Sequence, residues 1–225
     1  MLQYQKQGTN MILLFDLDGT LIDSTEAILE SFHNSFNHYN ETPPSDEAIK
    51  ALIGYPLDIM YSELGVAQER VWDFVATYKE HYREISCQKT VLLNNAAKAI
   101  KMAADFAELG IVTTKTGRYS RVLMEHFGLM EYFQCLIGRE DVEEPKPSAE
   151  PILKALESFE TQEKEIWMIG DTKLDLLSAK NAGVNSIGVL CGYDTKERLQ
   201  KYTDIIFDDT LEAIKWLQSR KNTHI

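Results

Sequence analysis

Five apolar residues, Met11-Ile12-Leu13-Leu14-Phe15, run without a break into Asp16-Leu17-Asp18-Gly19-Thr20. So short a run cannot support an independent helix. Bounded by polar and Gly residues, it has the pattern of a strand buried on both faces of a parallel sheet. Two carboxylates then stand at its C-terminal end, the edge at which open α/β sheets bind their ligands. Burying acids this close together is costly without a counter-charge, which a divalent cation supplies most simply. A calcium loop shares the D-x-D spacing but needs Glu at its twelfth position. Counting from Asp16 reaches Ala27, and placing Gly19 at the loop's sixth position puts Thr25 there, so neither register fits.

Past Thr20 the periodicity becomes helical. Asp23 and Glu26 have the spacing of an N-cap and capping-box pair, and Leu29, Phe32, Phe36 and Tyr39 fall on one face. Pro43-Pro44 ends that segment, Ser45 or Asp46 can cap a second helix, and Gly54-Tyr55-Pro56 marks a turn. Helical patterns continue over 57–64 and 68–84, with no strand-like run between Leu21 and Ser86. Strand candidates resume at 109–113, 135–137, 165–169, 186–190 and 205–207. Helical stretches lie between and after them at 118–127, 148–159, 174–182 and 211–217. Such alternation predicts an α/β fold, a doubly wound parallel sheet with right-handed crossovers, interrupted by an all-helical insertion. The expected organisation is a catalytic core of residues 11–21 and 90–225, a helical cap at 22–89, and a flexible N-terminal extension at 1–10.

A formal net charge of -12 argues against non-specific binding to nucleic acid or to an anionic membrane, and no stretch has membrane-spanning length. Cys87, Cys135 and Cys191 are odd in number and widely spaced, which suits free thiols of a reducing compartment. The expected location is the cytoplasm. The acidic run Glu140, Asp141, Glu143 and Glu144 reads as a solvated loop.

Three further polar clusters follow the later strands. Thr113-Thr114-Lys115 ends the second, Pro145-Lys146-Pro147 follows the third, and Gly170-Asp171-Thr172-Lys173-Leu174-Asp175 follows the fourth. Parallel strands bring these ends to one edge. The series D-x-D-G-T, Thr, Lys, G-D-x-x-x-D resembles the four motifs of the haloacid dehalogenase-like phosphohydrolases, over nearly the whole chain from Met11 to Leu217. The helical insertion resembles the cap of the phosphoglycolate phosphatase and β-phosphoglucomutase branch, which implies a Rossmann-like core. Gly110-Ile-Val-Thr-Thr-Lys115 and Lys146-Pro-Ser-Ala-Glu-Pro151 are most similar to phosphoglycolate phosphatases and related pyrophosphatases.

Phosphate-monoester hydrolysis demands accelerations of up to about 10²¹, roughly 28 kcal/mol, which no single group supplies. In this reading Asp16 is the nucleophile that forms an aspartyl-phosphate. Mg²⁺, held by Asp16, Asp171 and the main-chain carbonyl of Asp18, cancels charge together with Lys146. Thr113 and main-chain N–H groups after the first strand hold phosphoryl oxygens, with Gly19, Thr114 and Tyr55 as further substrate contacts. Asp18 protonates the leaving group and then activates water. Asp175 orients Lys146 or metal-bound water.

Departures from relatives narrow the choice. Asp18 is the acid that haloacid dehalogenases lack. Leu57 stands where phosphonatases carry their Schiff-base lysine, and Ala27-Ile28 lies where the mutases carry a catalytic His. The expected substrate is a small phosphorylated metabolite, first phosphoglycolate, then pyrophosphate, then a sugar phosphate or nucleotide. A phosphoryl-accepting signalling receiver and a non-catalytic binding module are the competing classes.

Overall fold

β1 (Met11–Phe15) is the sequence-predicted first strand, and all five of its residues are buried. The computed structural model describes residues 10–223, so residues 1–9 of the expected N-terminal extension lie outside it. Asn10 is part of the sheet edge, since its carbonyl accepts a 2.9 Å hydrogen bond from the Glu165 N–H.

The helical insertion is entered through a short strand that the sequence pattern gave no sign of, β2 (Ile22–Asp23). Four helices follow: α1 (Thr25–His38), α2 (Asp46–Lys50), α3 (Leu57–Glu63) and α4 (Val71–Lys89). β3 (Val91–Leu92) then pairs antiparallel with β2, Ile22 opposite Leu92, which clamps the entry and exit of the insertion together. Two residues per strand are too few for any periodicity to register. Ser45 caps α2 as expected, its hydroxyl accepting from the Ala48 N–H at 3.3 Å. The expected Asp23–Glu26 capping box is absent. Ser24 is the N-cap residue, Asp23 accepts from the Thr25 N–H, and Glu26 pairs instead with Lys89 at 2.9 Å.

The α/β pattern resumes with α5 (Ala96–Ala104), a helix the periodicity reading passed over, and continues through β4 (Glu108–Val112) and α6 (Gly117–His126). Then come β5 (Phe133–Ile137), α7 (Glu150–Leu156), β6 (Glu165–Gly170) and α8 (Lys173–Ala182). The chain closes with β7 (Asn185–Val189), α9 (Lys196–Leu199), β8 (Ile206–Phe207) and α10 (Thr210–Thr223).

The six-stranded sheet has the order β5-β4-β1-β6-β7-β8, every pairing parallel. Alternate residues of β1 face opposite sides. Leu13 and Phe15 pack with α5 and α10, whereas Ile12 and Leu14 pack with Ile152 of α7 and Ala179 of α8. Both faces are therefore covered by helices, which is why the strand reads as unbroken hydrophobicity rather than alternation. The insertion keeps a separate core, in which Phe32 and Phe36 of α1 meet Tyr61 of α3 and Phe74 of α4. No helix among the described residues is long and apolar enough to cross a membrane.

Strand order places the site. β1 lies between β4 and β6, so the chain ends after these three strands are neighbours at one edge, where the connections leave in opposite directions.

Candidate active site

Asp16 follows β1 directly, and its N–H continues the sheet by donating to the Ile169 carbonyl at 2.9 Å. The backbone is thus fixed, and the side chain is buried where the strands diverge. Lys146, from the Pro145-Lys146-Pro147 loop, reaches in with all three ammonium protons engaged. It donates to Asp16 Oδ1 at 2.7 Å, Asp175 Oδ1 at 2.5 Å and the Val112 carbonyl at 3.1 Å. Burial alone would lower its pKa, but the two carboxylates hold it above the ordinary lysine value.

Asp171 follows β6 and is wholly buried. Its oxygens accept from the Thr20 hydroxyl at 2.9 Å and the Tyr193 N–H at 2.8 Å. Gly19 lies against it with φ +82, and a Cβ there would collide with the Asp171 carboxylate, so only Gly serves both the turn and the close approach. Asp175 caps α8, accepting from the N–H and hydroxyl of Thr172 at 3.0 and 2.7 Å while its other oxygen meets Lys146.

Asp16, Asp171 and Asp175 offer carboxylate oxygens within 4.8 Å of one another, all from buried residues. Three carboxylates face a single ammonium, leaving a buried excess of negative charge. Burial pushes Asp16 up from 3.8 to about 7 against the pull of Lys146. Burial, then Asp16 and Asp175, push Asp171 well above the usual carboxylate range. A divalent cation has the charge and the oxygen preference to relieve this strain, so the residues fit one.

The Asp18 carboxylate belongs to a different pair. It lies 3.0 Å from the Lys115 ammonium and accepts a hydrogen bond from the Ser24 hydroxyl. The sequence-predicted Thr113 is buried beside this group, with its hydroxyl accepting from the Lys115 N–H at 3.2 Å. Two expected substrate contacts have other partners. The Gly19 N–H donates to the Ile22 carbonyl at 2.8 Å, so Gly19 supplies close approach rather than a free donor. The Thr114 hydroxyl donates to the Gly54 carbonyl at 2.8 Å and joins the core to the turn of the insertion. Tyr55, in that turn, is half-buried, packs against the insertion's core and lines a cavity of about 290 Å³ that begins at Asp18.

Residue-by-residue reading missed Ser24 and Tyr193, which hold Asp18 and Asp171 from outside the motifs. It also left the Lys115 side chain without a role, although Lys115 closes the quoted Gly110–Lys115 stretch. The acidic run is exposed as expected, yet Glu140 also caps α6 by accepting from the Gly117 N–H at 2.8 Å.

Residues 13–189 match the haloacid dehalogenase-like hydrolase family. The chain belongs to that family. Hydrolases of this family generally use a divalent metal, and the buried acidic triad is present in this hydrolase. It is 33% identical over 194 residues to pyrophosphatase PpaX of Anoxybacillus flavithermus, covering 84% of this chain and 88% of that protein. A haloacid dehalogenase-like hydrolase from Bacteroides fragilis has the same fold, with TM-score 0.85 and 26% identity over 90% of this chain and 99% of that one. A predicted phosphoglycolate phosphatase from Haemophilus somnus shares the fold at TM-score 0.84, with 23% identity over 94% of this chain and 99% of that one.

Proposed function

We propose that this hydrolase is a magnesium-dependent phosphatase that cleaves a small organic phosphomonoester through a phosphorylated Asp16. One observation carries the reading: a fixed, buried Asp16 is bonded to Lys146 and grouped with Asp171, while Asp18, two residues on, lines a cavity. Nucleophile, charge compensation and a proton donor thus occupy one sheet edge.

Asp16 attacks phosphorus, and its bond to the phosphoryl group forms as the ester P–O bond breaks. Division into two displacements lowers each barrier. Asp18, held by Lys115 and Ser24, gives its proton to the leaving alkoxide and later takes one from the attacking water, a contribution of about 10²–10⁴ in rate. Thr113 holds phosphoryl oxygens at the end of β4. Mg²⁺ would be held by the side chains of Asp16 and Asp171 and the main-chain carbonyl of Asp18, and would supply charge cancellation and orientation of the phosphoryl group. Both Asp175 oxygens are taken by Lys146 and the start of α8, so Asp175 acts by fixing Lys146.

Residues 22–89 serve as a cap over the core of 11–21 and 90–225, closing on the substrate to exclude water from the acyl-phosphate. Three free cysteines suit an enzyme of the reducing cytoplasm. Pyrophosphate is the second reading, favoured by the name of the Anoxybacillus relative. The cavity beyond Asp18 favours an organic leaving group, because aliphatic and aromatic side chains such as Ile28, Met60 and Tyr78 dominate its wall. Incubation with p-nitrophenyl phosphate and Mg²⁺ tests the class: repeated turnover supports a phosphatase. A single stoichiometric phosphorylation would indicate a receiver, and no reaction a binding module.

A further inference from the structure

The cavity that begins at Asp18 is larger and more aromatic than glycolate or a second phosphate requires. At about 290 Å³ it holds roughly ten water-sized groups, so either of those leaving groups would fill about half of it or less. Asp18, Thr114 and Lys115 line its inner end, while Asp16 and Lys146 do not reach it. A phosphoryl group on Asp16 therefore places the alcohol portion of the substrate, past Asp18, in this space.

Its walls carry five aromatic rings: Tyr55, Trp72, Tyr78, Tyr82 and Tyr119. Tyr78 and Tyr82 stack with planes 12° apart and centroids at 5.5 Å, and Tyr119 leans on Tyr82 at 6.2 Å. Trp72 is 62% exposed although it lines the cavity, so its ring stands at the mouth with one part still to be covered. Lys115 lies over the Tyr82 ring, 4.6 Å from its centroid. The Tyr82 hydroxyl is buried from solvent with the Lys115 charge beside it.

Resting on the phosphatase reading above, we propose that the substrate is the phosphomonoester of a primary alcohol carried on a flat aromatic or heteroaromatic ring, and that these five side chains select the ring. As the Asp16–phosphorus bond forms, the ester P–O bond breaks and its electron pair stays with the alkoxide, which takes the Asp18 proton. The neutral ring-bearing alcohol is left in the cavity, and water cleaves the acyl-phosphate to release phosphate.

The test compares 2-naphthylmethyl phosphate with ethyl phosphate, whose alkoxides have similar basicity, alongside phosphoglycolate and pyrophosphate, on the full chain with Mg²⁺. Burying one aromatic ring predicts kcat/KM about tenfold to a hundredfold higher for the naphthylmethyl ester than for any of the other three. Trp72→Ala, at an exposed position that does not threaten folding, should narrow that ratio, as should the cavity-filling Leu57→Trp. Phosphoglycolate or pyrophosphate matching or exceeding the naphthylmethyl ester would overturn the proposal. So would an unchanged ratio in both variants. Binding of 2-naphthylmethylphosphonate against methylphosphonate, measured by calorimetry, decides the cavity's preference without turnover. Equal affinities overturn it. Tighter naphthylmethyl binding with no hydrolysis of any ester, p-nitrophenyl phosphate included, would uphold the ring site and reject the phosphatase reading.

Discussion

The Thr114 hydroxyl donates to the main-chain oxygen of Gly54 at 2.8 Å, across 60 positions of sequence. The loop after β4 carries Thr113 and Lys115, and the Gly54 turn carries Tyr55, so this one bond couples the catalytic edge to the insertion. A half-buried neutral hydrogen bond contributes about 0.5–1.5 kcal/mol, roughly a two- to tenfold effect on an equilibrium. Thr114→Val should raise KM by that factor with a smaller change in kcat, and Thr114→Ser should retain wild-type KM. Steady-state kinetics check this; identical behaviour of Val and Ser would show that the bond does not hold the turn in place.

Among the described residues, Asp16 is the single carboxylate that touches Lys146 and is also fixed by the sheet through its own N–H. Asp16→Asn keeps size and burial but removes the proposed nucleophile, so turnover should fall by about 10³-fold or more with the fold intact by circular dichroism. Turnover of the wild type in ¹⁸O-water should label the released phosphate and leave the Asp16 carboxylate unlabelled however many cycles pass, because water attacks phosphorus and Asp16 keeps both of its oxygens. Retention of substantial activity by Asp16→Asn would exclude the covalent route.

Much of this arrangement could be read beforehand, for identifiable reasons. β1 was legible because both faces of a central parallel strand are buried, so no polar residue interrupts it. Asp16, Thr113, Lys146 and Asp171 were legible because each follows a strand, and parallel strands share an edge. Ser24 was not, because an N-cap serine ordinarily accepts from its own helix, whereas this one donates to Asp18. The bond that the Gly19 N–H makes within its turn was not legible, since the sequence shows a glycine but not the partner of its N–H. α5 escaped notice because three of the four residues on its buried face, Ala96, Ala99 and Ala103, are small, and beside Ile100 they do not stand out as a stripe of large apolar side chains.

Asp18 meets Lys115 at 3.0 Å on one oxygen and Ser24 on the other. Proton delivery to the leaving group predicts a dependence on that group's basicity. Asp18→Asn should slow phosphorylation by an alkyl phosphate more, by about tenfold or greater, than by p-nitrophenyl phosphate, whose phenolate leaves without help. Lys115→Met should produce a weaker form of the same selectivity by freeing Asp18 to move. Rapid-mixing measurement of phosphoenzyme formation separates the steps; equal losses on both esters would assign Asp18 another role.

The charge imbalance around Asp171 makes a prediction for the metal-free protein. Asp16 sits near 3.8 in an unfolded chain and is raised by burial to about 7 in the folded one, so across that interval the folded state binds more protons. Stability of the metal-free protein should then fall as pH rises from about 5 to about 7. Mg²⁺ binds the deprotonated carboxylates, so the Tm gained on adding it should grow over the same interval, reaching about 2.7 kcal/mol of stabilisation at a hundred times Kd. Asp171→Asn removes one of the crowded buried acids and should raise the metal-free Tm while weakening the response to Mg²⁺. Thermal unfolding with excess chelator or with Mg²⁺, at pH about 5 and about 7, measures all four quantities. A metal-free Tm that rises with pH, or a Mg²⁺ response that Asp171→Asn leaves intact, would mean that this cluster is not where the cation is held.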